Sequence, residues 1–122
     1  MENDSLTEQI IKCAYKVHNT LGFGFLEKVY ENSLMIELPN SGLKAEQQKA
    51  ISVKYGGTVV GDYIADFIVE GSVIVEVKSV NNLATEHEVQ LVNYLKATGK
   101  RIGLLVNFGK SVEVKRKYRD PK

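Results

Sequence analysis

The sequence predicts one α/β (α+β) domain, a mixed central sheet containing an antiparallel hairpin meander and flanked by helices. Three observations predict it. Two helical patterns open the chain; three β-rich runs separated by glycine turns follow; a further helical pattern then leads into another apolar strand. A strand reached through a helix lies parallel to the strand before it, so the sheet is mixed. The 122 residues allow one modest core and not two, so residues 1–122 are read as a single domain.

The first helix is expected to open at Ser5-Leu-Thr-Glu8, which has the form of a capping box. Ile10, Ala14, Val17 and Leu21 then fall on one stripe, with Ile11 beside it. Gly22-Phe-Gly-Phe25 breaks this helix. A second is expected from about Leu26 to Leu38, with Leu26, Val29, Tyr30, Leu34 and Ile36 as its apolar positions. Pro39-Asn-Ser-Gly42 reads as a turn, and a polar segment from Leu43 to Lys49 leads to a half-buried strand at Ala50–Tyr55. Gly56-Gly57 signals a hairpin, Thr58–Val60 pairs back, and Gly61 marks a bulge or bend. After Lys78, Thr85-Glu-His-Glu88 is a second capping box, opening a helix to about Ala97 that packs through Leu91, Val92 and Leu95. Gly99 stops it. Arg101–Val106 is the parallel strand, and Val112–Val114 a short edge strand.

Composition is that of an ordinary soluble protein, 43% hydrophobic and 25% charged, with no Trp. A net charge of +1 argues neither for nor against nucleic acid. Cys13, the single cysteine, excludes an internal disulfide and a cysteine-rich zinc site. With a charged N-terminus and no long apolar run, it points to a cytoplasmic protein without a membrane partner. Cys13 and His18 read as packing residues of the first helix. Six basic residues against two acidic ones from Lys110 to Lys122 read as a solvated end that also suits phosphate.

The chemistry is concentrated in Asp62–Lys78, which reads as a hairpin hinged at Glu70-Gly71-Ser72. Its second run is nearly all β-branched, yet carries Glu76 and Lys78. Strand side chains alternate, so Ile74, Glu76 and Lys78 share one face and Val73, Val75 and Val77 the other. Charges in a strand buried on both faces are costly unless paired or used. Asp66, on the partner run, is a third charge. A two-residue loop at Glu70-Gly71 sends Asp66 and Glu76 to opposite faces; a three-residue loop puts them on one. Val69-Glu70-Gly71 suits a type I turn closed by a left-handed glycine, so one face is expected, with the acids opposite or diagonal.

An acid-x-Lys triplet alone carries no weight, since roughly one or two arise by chance in such a chain. The sequence holds three: Glu76-Val-Lys78, Glu113-Val-Lys115 and Asp120-Pro-Lys122. Placement distinguishes the first. Asp66 followed by Glu76-x-Lys78 on the next strand resembles the core of the PD-(D/E)XK nuclease superfamily. Gly24-x-x-Glu27-x-x-Tyr30 before it and Gln90-x-x-x-Tyr94 after it give a motif order similar to the RecB-like branch. Leu21–Glu31, Val75–Lys78, Gln90–Lys96 and Gly103–Gly109 look like the small stand-alone GxxExxxY family, a resemblance that spans Ile10 to Arg116. Ala65 stands where the superfamily's name has proline, a position that varies and does not touch metal.

The resemblance implies a restriction-endonuclease-like core and phosphodiester hydrolysis with a divalent cation, Mg²⁺ with Mn²⁺ as substitute. Asp66, Glu76 and the carbonyl of Val77 would bind it, and Glu27 directly or through water. Lys78 would orient the attacking water or stabilise the pentavalent phosphate. Gln90 and Tyr94 would position Lys78, water or phosphate. The implied partner is nucleic acid, DNA being expected ahead of RNA. So small a core offers few phosphate contacts, which suits a homodimer or a protein partner. From the residues themselves, Glu27 reads first as a first-turn acid favoured by its helix dipole. His87 reads as a residue of the capping region. Three readings stand side by side: a nuclease; a catalytically weak or inactive nucleic-acid- or protein-binding module of the same fold; and a structural Glu76–Lys78 ion pair with Asp66 at a solvated edge.

Overall fold

A computed structural model describes residues 2–119, with side chains described from Ser5 onward. Its elements are α1 (Glu2–Leu21), α2 (Glu27–Asn40), β1 (Ala45–Tyr55), β2 (Thr58–Val69), β3 (Val73–Lys78), α3 (Thr85–Thr98), β4 (Ile102–Phe108) and β5 (Val112–Tyr118). The strands form one sheet in the order β1-β2-β3-β4-β5. Every neighbouring pair is antiparallel except β3 and β4, which α3 joins as a parallel pair.

The sheet divides the core in two. On one face Ile10, Ala14 and Val17 of α1 and Tyr30, Leu34 and Leu38 of α2 pack on Val73, Val75, Val77, Val106 and Phe108. On the other, Leu91, Tyr94 and Leu95 of α3 pack on Ile51, Ala65, Ile74 and Leu105. Helices on both sides leave β3 and β4 no solvated face, which is why both read as continuous apolar runs.

Several expectations need correction. α1 begins at Glu2, so Ser5 lies inside it; the Ser5 hydroxyl accepts a hydrogen bond from the Gln9 amide at 3.5 Å instead of capping. α2 runs on through Pro39 to Asn40, because a proline in the last turn breaks only one helical bond, and the N–H groups of Ser41, Gly42 and Leu43 close the helix end. Its buried positions are Tyr30, Glu31, Leu34 and Leu38, an i, i+4, i+8 line with one neighbour; Leu26, Val29 and Ile36 face outward. β1 starts at Ala45, taking in the polar run through Lys49, because an edge strand with a wet face tolerates it. The second helix start is also displaced: Ala84 precedes α3, and its N–H donates to His87 Nδ1 at 3.1 Å, the reach-back expected of Glu88. The expected bulge is present, as β1–β2 pairing shifts register at Val53/Lys54, opposite Gly61 and Val59. Asp120-Pro-Lys122 lies outside the described residues.

Candidate metal centre

β2 and β3 pair only at Phe67↔Val75, Ile68↔Ile74 and Val69↔Val73. The loop is therefore Glu70-Gly71-Ser72, three residues, and that register sets Asp66 directly opposite Glu76. The odd loop length agrees with expectation, but the turn does not. Glu70 and Gly71 are both left-handed, at φ 54° and 62°, and the Ser72 N–H donates to Val69 O at 3.0 Å, a pattern of the type I′ kind. Glu70 is tied to β1: its N–H donates to Lys44 O at 2.7 Å and its carboxylate accepts the Lys44 N–H at 2.6 Å.

Beyond Phe67 and Val75 the backbone ladder stops, and the two acids bridge the strands instead. Glu76 Oε2 accepts from the Asp66 N–H at 2.9 Å, and Asp66 Oδ2 accepts from the Val77 N–H at 2.8 Å. Glu76 is 5% exposed. Burial, followed by repulsion from Asp66, pushes its carboxyl up to about 8, against the opposing pull of the Asp66 N–H bond and Lys78. Asp66 is also raised, by burial first and then by Glu31 and Glu27, although the bond from Val77 and the Lys78 charge act the other way.

Lys78 is half-buried at the end of β3, beside Asn107 of β4 in the parallel register. Its charge bears on both acids, yet among the described residues the ion pairs within 4 Å include none at Lys78, Glu76 or Asp66. The Glu76–Lys78 pair of the structural reading is thus not among them, and Asp66, half-buried, accepts a hydrogen bond from the Val77 N–H.

Glu27 opens α2 and is half-buried; its charge raises both acids without joining them in a cluster. Among the described residues no three His, Cys, Asp or Glu side chains converge to hold a metal unaided. The side-chain donors brought together are Asp66 and Glu76. Three local bonds hold the loop that precedes Glu27. The Tyr30 hydroxyl donates to Gly22 O at 2.7 Å and accepts from the Phe25 N–H at 3.3 Å, while the Ser79 hydroxyl donates to Phe25 O at 2.9 Å. In that loop Gly24 has φ 106°, a conformation other residues avoid. Asn107 then fixes the exit of β3: its Oδ1 accepts the Val80 N–H at 2.9 Å and its Nδ2 donates to Val80 O at 2.8 Å.

On α3, Tyr94 is 6% exposed and Gln90 exposed. Burial raises the Tyr94 hydroxyl to about 12, with further contributions from the Glu76, Asp66 and Tyr63 charges. Tyr94 therefore sits within electrostatic reach of the acids, with Gln90 one turn earlier.

Sequence reasoning missed a polar network behind Asp66. Glu31 is 2% exposed; its Oε2 accepts from Gln47 Nε2 at 2.8 Å and Gln48 Nε2 at 2.7 Å, and its Oε1 pairs with Lys28 at 3.0 Å. Gln48 Nε2 also approaches Asp66 Oδ1 at 3.5 Å. Glu31 was accessible to inspection as an acid one turn past Glu27; the left-handed backbone of Gln48 (φ 55°) has no sequence signal.

Residues 4–118 match the family model of the PD-(D/E)XK nuclease superfamily. The chain belongs to that superfamily. Among solved structures, that of SSO0001 superposes with a TM-score of 0.63 at 20% identity, covering 78% of this chain and 50% of the other. An alkaline exonuclease, LHK-Exo from Laribacter hongkongensis, gives 0.53 at 13% identity, covering 88% and 76%. The chain thus spans about half the length of the first of these relatives. No curated protein matches it. The PD-(D/E)XK fold is the restriction-endonuclease-like α+β arrangement described above. PD-(D/E)XK nucleases generally use divalent metal ions. Among the described residues no helix is long and apolar enough to cross a membrane.

Proposed function

We propose that the protein is a divalent-metal-dependent nuclease that hydrolyses phosphodiester bonds, of DNA before RNA, at the Asp66–Glu76 centre. The observation that carries this reading is the mutual bridging of the two acids across the end of the β2–β3 ladder. Two carboxylates held together, Glu76 buried and Asp66 half-buried, and lacking an ion-paired cation among the described residues, form a hard-oxygen donor set suited to Mg²⁺ or Mn²⁺. The Val77 carbonyl would be the third protein ligand, and Glu27, which stands outside a three-side-chain cluster, would join directly or through water.

A bound cation supplies neutralisation of charge on the phosphate oxygens and a more acidic water. The chain's own residues do the rest. Asp66 and Glu76 each accept a hydrogen bond from a backbone N–H of the facing strand, which holds the two carboxylates together. Lys78, without an ion pair among the described residues, orients the attacking water or meets the charge that builds on the pentavalent phosphate. Gln90 and Tyr94 line the approach and position phosphate or water. Tyr94 acts as a hydrogen-bond donor through its phenol, which is protonated near neutral pH.

The test is cleavage of labelled DNA and RNA, single- and double-stranded, with Mg²⁺ or Mn²⁺, comparing the wild type with Glu76→Ala and Lys78→Ala. Activity in the wild type alone supports the reading; equal activity in all three sinks it. A second reading, a binding module of the same fold with little catalysis, is favoured by the absence of a third converging carboxylate among the described residues. It predicts oligonucleotide binding without metal-dependent cleavage. A homodimer or protein partner would extend the phosphate contacts under either reading.

A further inference from the structure

We propose that the groove between α3 and the outer half of the β1–β2 hairpin binds an unpaired nucleic-acid strand, with the Tyr63 ring as a stacking platform for a base. This rests on the nuclease reading and names its substrate as a single strand. The groove exists because the two sides of β2 are treated differently. β1 pairs along the whole of β2, but β3 pairs only with Phe67–Val69. The outer hairpin therefore stands clear of β3 and faces α3 across about 1210 Å³ of open space. That exceeds the usual range for a small-molecule site and suits more than one nucleotide.

Its surface has the two chemistries a single strand needs. Tyr63 is 48% exposed and projects from β2 beside Val60, with Val89 on the α3 side. Such apolar faces opposite one another suit the faces of bases, which stack on aromatic rings without regard to sequence. Lys54 on the hairpin and Lys96 on α3 also line the groove; both are exposed, and neither is in an ion pair among the described residues. They suit a phosphate backbone, with Glu86 as the opposing carboxylate.

The groove leads to the acids. The Tyr63 and Tyr94 rings meet at 5.6 Å with a 46° tilt, and Tyr94 is the groove residue whose hydroxyl feels Glu76 and Asp66. A base on Tyr63 is thus held one aromatic ring away from the centre. Within a duplex the base faces are stacked on one another and closed to this ring, and two lysines on a chain of net charge +1 give little of the electrostatic attraction on which duplex binding depends. Stacking supplies affinity that does not rely on charge.

The test is fluorescence anisotropy in EDTA, where binding is read without cleavage, using labelled fifteen-nucleotide single-stranded DNA, the same sequence as RNA, and the DNA duplex. The single strands should bind more tightly than the duplex, and the DNA and RNA arms tell which sugar is preferred. Tyr63→Ala should weaken single-strand binding about tenfold or more, the effect of losing one base–aromatic stack. Tyr63→Phe, which keeps the ring and the fold, should bind as the wild type does. Unchanged affinity in Tyr63→Ala, a duplex preference, equal loss in Tyr63→Phe, or no binding by any probe overturns the proposal. Cleavage is scored separately with metal. Tyr63-dependent binding without cleavage keeps the groove and removes the nuclease reading; cleavage with Tyr63-independent binding does the reverse.

Discussion

Asp66 and Glu76 each anchor their carboxylate on the other's strand, Glu76 on the Asp66 N–H at 2.9 Å and Asp66 on the Val77 N–H at 2.8 Å. These bonds stand where the ladder beyond Phe67↔Val75 would continue. The acids therefore do structural and electrostatic work together: they join the strands, and they concentrate negative charge in a site that excludes much of the water. Fixing two like charges in this way costs stability unless a proton or a cation neutralises one of them.

That cost is titratable. Glu76 is pushed up to about 8, by burial and then by Asp66, from its ordinary value of 4.5, and Asp66 is raised too. Between those values the folded state holds a proton that the unfolded state has released, so stability falls as pH rises from about 4.5 to about 8. The slope has a ceiling of about 1.4 kcal/mol per pH unit for one proton. Urea unfolding in EDTA across that window should show the decline, and Glu76→Gln should flatten it. Adding Mn²⁺ should restore stability at the alkaline end of the window. A metal-free stability that rises through the window would contradict the assignment.

Tyr30 holds the α1–α2 loop through a hydroxyl that bonds Gly22 O and the Phe25 N–H, while its ring stacks on Phe108 at 4.6 Å and 7°. Tyr30→Phe keeps the stack and loses both bonds, which should cost about 1–2 kcal/mol in thermal or urea unfolding. Because Phe25 also takes the Ser79 bond and stands two residues before Glu27, cleavage should fall further than stability explains. Full activity at reduced stability would make Tyr30 a purely structural lock.

The hairpin, the parallel crossover and the order of the site residues were legible because they follow from local rules: two apolar runs about a glycine, a helix between strands, alternation along β3. The exact turn was not, because Glu70 adopts a left-handed backbone only through its bonds to Lys44, twenty-six positions away. Of the apolar positions expected on α2, Leu26, Val29 and Ile36 face outward, and Glu31 is buried beside the Tyr30-Leu34-Leu38 line through its bonds to Gln47 and Gln48 of β1. Partners distant in sequence decided each miss.

Gly103 lets α3 approach β4. A Cβ there would lie 2.7 Å from Leu91 Cδ1 and 3.2 Å from Ile74 O. Gly103→Ala should therefore displace Leu91 and cost about 1–3 kcal/mol of overpacking. Since Gln90 and Tyr94 ride on the same helix, the displacement should raise KM or lower kcat as well. Thermal unfolding with the wild-type midpoint would mean that Leu91 repacks freely.

Gln48 stands across from Asp66, between the pairs Gln47↔Phe67 and Lys49↔Ala65, in a left-handed conformation that costs a non-glycine residue on the order of 1 kcal/mol. In return its amide reaches both Glu31 and Asp66. Gln48→Gly accepts the same backbone without strain but removes the bonds to Asp66 and Glu31, two effects of opposite sign on stability. Its thermal midpoint should stay close to the wild type, while Mn²⁺ affinity by calorimetry, and cleavage with it, should fall about tenfold, as when a ligand loses its outer support. Gln48→Ala, which keeps the strain and loses the bridge, should be the less stable of the two. Undiminished Mn²⁺ affinity in the glycine variant would reduce Gln48 to a local kink in β1; a loss confined to metal binding would identify strain held in the fold to aim Asp66.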